Sequence, residues 1–390
     1  MIYTRENIKP PYYLYDKHFI HNQINKLSFC GLSEKNIHFS LMANNNTHLL
    51  TLIREKGLSV FVSSISELTI ALKSGFTKEQ IIFCSSNLKQ NEIERIVTIN
   101  PIIIADSYIQ LERYIQFGVK QIGIRISFEP DFYKKYHSLE IQRQGISENQ
   151  IQQTVEFCYK KNVKVTGIHS YLGTNISDIE FYKEGISKLI QCAIHFKDIE
   201  FIDISGGFGL DFTKKDSDFP IKDIVQEFHT ARSKYPQLSN IDLKIEPGRY
   251  IMAPAGKFIC SVIEVFKKDG KTFIGVDANL AIFPRPYIYK KRGQHLIEVY
   301  PSANETDKKL KNVYIVGNSA KSDDFFVRNK KFFSFVSEGD LLCFHYAGAY
   351  CYSMSSNFCG QLRPAEYLLA EDGNIQKIRE EETIDVLLSK

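Results

Sequence analysis

Apolar residues in the first two thirds of the chain fall into short β-rich runs separated by longer stretches of helical period. The runs are Ile37–Met42, Leu58–Ser63, Gln80–Ser85, Pro101–Ala105, Gln121–Ser127, Lys164–Leu172, Glu200–Ser205 and Leu243–Glu246. The helices predicted between them cover His48–Lys56, Ile65–Ser74, Asn91–Ile99, Ser107–Phe117, Glu148–Lys161, Asp178–His195 and Ile221–Lys234, several opening on a capping Ser, Asp or Asn. Such βα units in series, without a G-x-G-x-x-G turn opening the first helix, predict an α/β fold closed as a (β/α)₈ barrel. After about Ala255 the pattern changes. Gly256–Phe266, Lys271–Asp277, Val313–Val316 and Asp340–Ala347 read as strands without long helices between them, which predicts an appended β domain. The extended stretch Pro11–Tyr15 is expected to pair into it, giving a barrel over residues 27–255 and a β domain from 1–26 and 256–390. The charged and aromatic stretch FEPDFYKKYHSLEIQRQG (128–145) reads as a mobile surface segment.

A chain of 390 residues with 43% hydrophobic content has enough material for one large core and a smaller second one. No run is apolar and long enough for a bilayer, and MIYTRENIKPPYYLYD lacks the core of a signal peptide, so the expected location is cytoplasmic. Lys plus Arg exceed Asp plus Glu by only 49 to 45 and are scattered, which argues against a nucleic-acid partner. The eight cysteines are far apart, with no C-x-x-C pair and no zinc-like His spacing; they read as buried thiols, and no metal site is expected.

Barrel chemistry belongs at the carboxyl ends of the strands, with phosphate commonly held after the last two. The seventh run leads into Ser205-Gly206-Gly207-Phe208-Gly209, whose glycines let backbone amides approach an anion. The eighth ends in Glu246-Pro247-Gly248-Arg249-Tyr250. Together the two loops suit a phosphorylated heteroaromatic ligand, with amides and Arg249 for the phosphate and Glu246 for a ring nitrogen.

Several segments resemble one family. IHFSLMANNN (37–46) is similar to the YAVKAN segment of decarboxylases that use pyridoxal phosphate (PLP) to act on ornithine or diaminopimelate. FIDISGGFG, IEPGRYIMAPAG, IFPRPYIY and DLLCFHYAGAYCYSMSSNFCGQLRPAEYLL look like further segments of the diaminopimelate, ornithine and lysine decarboxylases, in order over nearly the whole chain. The resemblance implies a PLP-binding TIM barrel followed by a β-sandwich, paired head to tail with active sites at the dimer interface. It places Gly206, Gly207, Gly209, Arg249 and Tyr350 around the phosphate, Glu246 at the pyridine nitrogen, and Arg125, Arg285 and Tyr289 toward the substrate.

Departures from the family cluster where its chemistry is done. Met42 stands at the lysine that binds the cofactor covalently, and a thioether has no amine. Tyr171 stands at the ring-stacking histidine, with His169 two residues earlier, and Phe61 at an aspartate. In Ser319-Ala320-Lys321-Ser322, Ala320 replaces the catalytic cysteine and Lys321 an acid; Lys290 replaces another aspartate. These changes together point to natural divergence. They imply a catalytically impaired relative that keeps the anion cup and the dimer surface. Such a chain would bind PLP noncovalently at most, or none, together with a small carboxylated or phosphorylated ligand, as a homodimer or beside an active relative. The alternative is an active amino-acid or aminoacyl-intermediate decarboxylase that uses noncovalent PLP or another lysine, with Lys89, Lys290 and Lys321 as candidates. A structural subunit of a heterodimer is a third reading.

Overall fold

The computed structural model describes residues 8–136, 142–301, 310–333 and 336–388. They fall into two compact units: one holds Asn22–Leu210 and Asp218–Ile251, the other the described residues up to His21, Asp211–Ser217 and those from Met252 onward. This corrects the boundaries drawn from the sequence in two places. The helix Lys17–Phe29, which the sequence reading missed, is divided between the units, and the loop 211–217 leaves the barrel, with the Phe212 carbonyl accepting from Leu296 N–H at 2.7 Å.

Numbered in chain order with β1 at Tyr12–Asp16, the strands of the first unit are β2 His38–Ser40, β3 Ser59–Val62, β4 Ile81–Phe83, β5 Ile102–Ala105, β6 Gln121–Ser127, β7 Ile146–Ser147, β8 Lys164–His169, β9 Phe201–Asp203 and β10 Asp242–Lys244. Their order is β10-β9-β8-β6-β5-β4-β3-β2, all parallel, with the short β7 on β6. Ile37 bridges Ile245, and His38 N–H reaches the Ile245 carbonyl at 2.8 Å, which closes the ring. All eight predicted barrel strands are present, several shorter than their apolar runs. β8 makes its last ladder bond from Ser170 N–H to the Asp203 carbonyl at 3.0 Å, where the Ser170 hydroxyl also reaches the Ile126 carbonyl, and after β9 Ser205 takes φ +59°. The helices open as their caps predict, with Asn46, Ser64, Ser107 and Asp178 side chains each accepting a first-turn N–H.

The second unit continues with β11 Gly256–Lys268, β12 Lys271–Val276, β13 Ile297–Tyr300, β14 Leu310–Val316, β15 Phe325–Phe333, β16 Leu341–Phe344, β17 Ala365–Leu369 and β18 Ile375–Arg379. The long β11 belongs to two sheets, pairing β1 and β16 along its first half and β12 along its second, with a register shift between Val262 and Glu264. The expected pairing of the N-terminal stretch holds: β1 lies antiparallel to β11 and parallel to β17. Tyr12 and Leu14 pack with Ile259, Cys343, Ala365 and Tyr367, while Tyr13, on the opposite face, meets Phe258, Phe283 and Tyr352.

Two further expectations need correction. Within 128–145, Pro130–Lys135 is a helix whose Phe132 and Tyr133 are buried against Phe128 and Phe181, so apolar packing fixes that part; residues 137–141 lie outside the described residues. The thiols of Cys84, Cys158, Cys192, Cys260, Cys343 and Cys351 are buried as expected, but Cys359 is exposed and Cys30 partly so. No helix among the described residues is long and apolar enough to cross a membrane.

Candidate active site

The carboxyl ends of the barrel strands gather charge in a place from which water is excluded. Arg125, on β6, is 5% exposed and donates from Nη1 to Asp106 Oδ1 at 2.6 Å and from Nε to His169 Nδ1 at 3.2 Å. The other Asp106 oxygen accepts from the Ser86 hydroxyl at 2.5 Å. His169 ends β8 with no exposure, its ring parallel to Phe61 from β3 at a centroid distance of 6.2 Å and an angle of 9°. Because a guanidinium only donates, Nδ1 of His169 is the acceptor and its proton sits on Nε2. That nitrogen faces Glu246 Oε1 at 3.3 Å without the alignment of a hydrogen bond. Burial, and then Arg125, push the His169 pKa down to about 3, so the contact joins a neutral imidazole to a carboxyl group and is no ion pair.

Two acids share this interior. Asp203 ends β9 and accepts Ser205 N–H on Oδ1 at 2.7 Å, while Glu246 accepts the Ser205 hydroxyl on Oε2 at 2.6 Å. Their remaining oxygens, Asp203 Oδ2 and Glu246 Oε1, are buried without a protein hydrogen bond, as is His169 Nε2. Burial is the first cause that pushes both acids up to about 7; the nearby Glu246 charge adds to it for Asp203, while the Ser205 bond opposes it for Glu246. The acids titrate as a coupled pair. Since both native pKa values lie above the unfolded ones, the folded state holds extra protons between about pH 4 and pH 7, and stability falls as pH rises through that window. Asp203→Asn removes one of these groups. Its stability should fall less between pH 5 and pH 8 than that of the natural chain, a difference of up to roughly 3 kcal/mol for the two units between pH 5 and about 7 at about 1.4 kcal/mol per unit; equal losses would refute the pairing.

A second feature lies beside the acids. Gly206 is buried where a Cβ would collide with the Glu246 carbonyl, and Gly207, at φ +77°, where a Cβ would strike the Gly173 carbonyl. The first demand on these glycines is therefore the close approach of three loops. Ile176 N–H bonds the Gly207 carbonyl and Gly209 N–H bonds the Ile176 carbonyl, both at 2.9 Å. Among the described residues, the Gly206 and Gly207 N–H groups donate to no protein acceptor. Arg249, 6% exposed, bonds Thr174 Oγ1 at 3.0 Å, so loops 173–177 and 206–209 meet the start of the short helix that opens at Gly248. Gly248 brings the last of them against Ser40 and Ala43, which flank the turn Leu41–Ala43. Met42 sits in that turn at 36% exposure between the buried Leu41 and Ala43. Tyr171 is half-buried, its carbonyl accepting from Gln142 Nε2 at 3.3 Å; the ring stacked on Phe61 is that of His169.

The remaining candidates belong to the second unit. Arg285 is 2% exposed, its guanidinium 3.7 Å from the Phe212 ring centre and 3.1 Å from His295 Nε2. Tyr289 closes the same short helix, Arg285–Tyr289, and Tyr350 is half-buried at φ +55°. Lys321, next to Ala320, pairs with Asp323 at 2.7 Å and lies 5.5 Å from the Tyr287 ring centre; the Asp323 bond raises its pKa, which keeps the amine protonated and unreactive. Sequence reasoning missed Asp106, Asp203 and Ser205. Their signal was an Asp or Ser closing an apolar run at the carboxyl end of a barrel strand.

The comparisons agree with this geometry. Residues 20–253 match the family model described as the pyridoxal-binding domain of the pyridoxal-dependent decarboxylases. A diaminopimelate decarboxylase of Archaeoglobus fulgidus is 31% identical over 92% of this chain and 88% of its own, and one of Methanothermobacter thermautotrophicus is 28% identical over 97% and 90%. The crystal structure of diaminopimelate decarboxylase from Helicobacter pylori complexed with L-lysine superposes with a TM-score of 0.86 at 25% identity, covering 98% of this chain and 96% of that one. The chain belongs to the pyridoxal-dependent decarboxylase family, with its TIM barrel and β-sandwich.

The residues present fit most of the family cofactor. The Gly206 and Gly207 amides and Arg249 suit a phosphate, and the unpartnered Glu246 Oε1 suits a pyridine nitrogen. The aldehyde finds no amine at Met42.

Proposed function

We propose that this chain is a PLP-dependent amino-acid decarboxylase that takes up its cofactor without a covalent bond from Met42. The observation that carries the reading is the unpartnered Glu246 Oε1 beside a glycine loop whose amides are also unclaimed. PLP, when bound, supplies the electron sink for the carbanion left by departing carbon dioxide. The chain's own groups do the rest. Gly206, Gly207 and Arg249 hold the phosphate. Glu246 holds the ring nitrogen, and the Ser205 hydroxyl on its other oxygen fixes its orientation. Asp203 and Arg125 set how readily Glu246 keeps a proton, and the stacked Phe61 and His169 would exclude water from the side of the site they wall. Replacement of the family's cysteine and acid by Ala320 and Lys321, brought by a second chain in a dimer, changes what stands at the substrate end. Diaminopimelate, named by the relatives, is therefore the first substrate to try but not the only one.

The test is carbon dioxide release from diaminopimelate, lysine and ornithine by the purified wild-type protein with added PLP, beside free PLP. Release above that background supports the reading; a rate equal to it overturns the reading. The latter result favours the contrary view suggested by Met42 and Ala320, a protein that binds the cofactor or another phosphorylated anion without turnover. Glu246→Gln gives an independent check. With the charge-assisted bond to the ring lost, PLP affinity from spectral titration should fall about tenfold, equivalent to about 1.4 kcal/mol, and an unchanged affinity would remove Glu246 from the site.

A further inference from the structure

The second unit holds a cavity of about 540 Å³ that none of Gly206, Gly207, Glu246 and Arg249 borders. Its walls include Pro286, Ile297, Phe326, Val327 and Phe344, and its cations are Lys290, Arg328 and Lys330. How one strand lines so much of it is visible in the backbone. Asn329 adopts φ +50°, and β15 has three steps between Val327 and Lys330 where β14 has two between Ile315 and Val313. A second irregularity precedes it, with two steps from Phe325 to Val327 against one from Val316 to Ile315. Together the two bulges re-aim side chains, so that Phe325 through Arg328, and Lys330 as well, border a single space where a regular strand would turn alternate residues away.

The charge in this space is unbalanced. Among the described residues Asp323 is the only acid in the lining, and Lys321 already engages it at 2.7 Å. His295 is buried and held neutral, its pKa pushed well down by burial and then by Arg285; it uses both ring nitrogens on Arg285 and the His345 carbonyl. Lys330 is partly buried and forms no ion pair among the described residues. Arg328 lies over the Phe325 ring at 3.6 Å, with a bond of 3.4 Å to the Asp323 carbonyl. An apolar chamber rimmed by cations lacking carboxylate partners is complementary to a molecule with an apolar body and one negative group.

We propose that this cavity binds a small carboxylate with an aromatic or branched apolar body, which packs on Phe326, Phe344 and Ile297 while Arg328 and Lys330 hold the carboxylate. The site lies wholly within the second unit, so its failure would leave the proposed decarboxylase activity untouched. Pro286 and Tyr287 in the wall belong to the helix that also carries Arg285 and Tyr289, so a bound carboxylate would brace that helix.

The test uses the full-length protein and 8-anilinonaphthalene-1-sulfonate, an aromatic anion that brightens in apolar pockets, with displacement by phenylacetate and by phenethylamine. Saturable binding at one site per chain, displaced by phenylacetate at least tenfold better than by phenethylamine and weakened by salt, is expected. Replacing Arg328 and Lys330 by Met together should lower phenylacetate affinity at least about tenfold. Val327→Trp should abolish binding by filling the chamber. As the chain has no tryptophan, its indole emission also reports whether that side chain is enclosed in a folded protein. Equal displacement by acid and amine, or affinities within twofold of wild type in both variants while the indole emission shows enclosure, would overturn the proposal.

Discussion

Met42→Lys should give the proposed cofactor site a lysine that binds PLP covalently. The purified variant incubated with PLP and treated with borohydride is expected to gain the mass of one reduced cofactor per chain at residue 42, while the natural protein gains none. The reasoning is local. The side chain leaves a turn whose neighbours Leu41 and Ala43 are buried, yet it is itself 36% exposed, so a lysine of similar length would meet no packed wall. Gly248 holds this turn against the short helix that carries Arg249, which places the new amine on the same rim as Arg249 and the proposed phosphate cup. Decarboxylation by the variant should exceed that of the natural chain by roughly 10² or more, a cautious figure beside the roughly 10⁶ that loss of a catalytic nucleophile can cost. A variant that binds PLP by absorbance but gains no borohydride-stable mass would show that residue 42 does not face the aldehyde. In that case the cup and Glu246 hold something else.

The barrel was legible because each strand is a short apolar run ended by a polar residue, and each helix starts on a side chain that caps it. Strand ends were overdrawn where a single residue turned out of the extended conformation, as at Ser205, and periodicity cannot register such an exit. The helix Lys17–Phe29 was missed for a related reason: in KHFIHNQINKLSF the buried face includes Gln23, whose amide bonds the Tyr250 carbonyl, so the apolar stripe is broken in sequence though continuous in packing. The glycine loop, Glu246 and Arg249 stand out in the sequence because their residue types fall at consecutive strand ends, and the structure brings them together. Asp106 and Asp203 were overlooked because one Asp after an apolar run reads as a turn. Their meaning arises only when strands distant in sequence come side by side and leave the two acids, His169 and Arg125 with one another for partners. Lys321 shows the converse. Sequence offered it as a candidate amine, and the carboxylate two residues away keeps it charged.

That convergence carries the largest expected effect on stability. Arg125→Met strips the guanidinium from Asp106 and from His169 Nδ1 while nearly preserving volume, and it leaves a carboxylate with 6% side-chain exposure opposite a thioether. Breaking a buried pair by removing one partner typically costs about 3–5 kcal/mol, so the variant's urea midpoint should fall sharply at pH 7. The loss has a definite origin that a second change can expose. In Arg125→Met/Asp106→Asn the charge that lacked a counterion is gone, and the Asn side chain can still accept from Ser86, so most of the lost stability should return. Recovery in the double variant identifies Arg125 as the counterion of a buried acid. A double variant as unstable as Arg125→Met alone would mean that Arg125 supports the fold by its packing and its bond to His169, and that Asp106 contributes little. PLP titration of the double variant then separates fold from site. With the Arg125 charge absent, Glu246 loses one influence that favours its ionised form, so binding should weaken toward lower pH more than in the natural chain, even where stability has been restored.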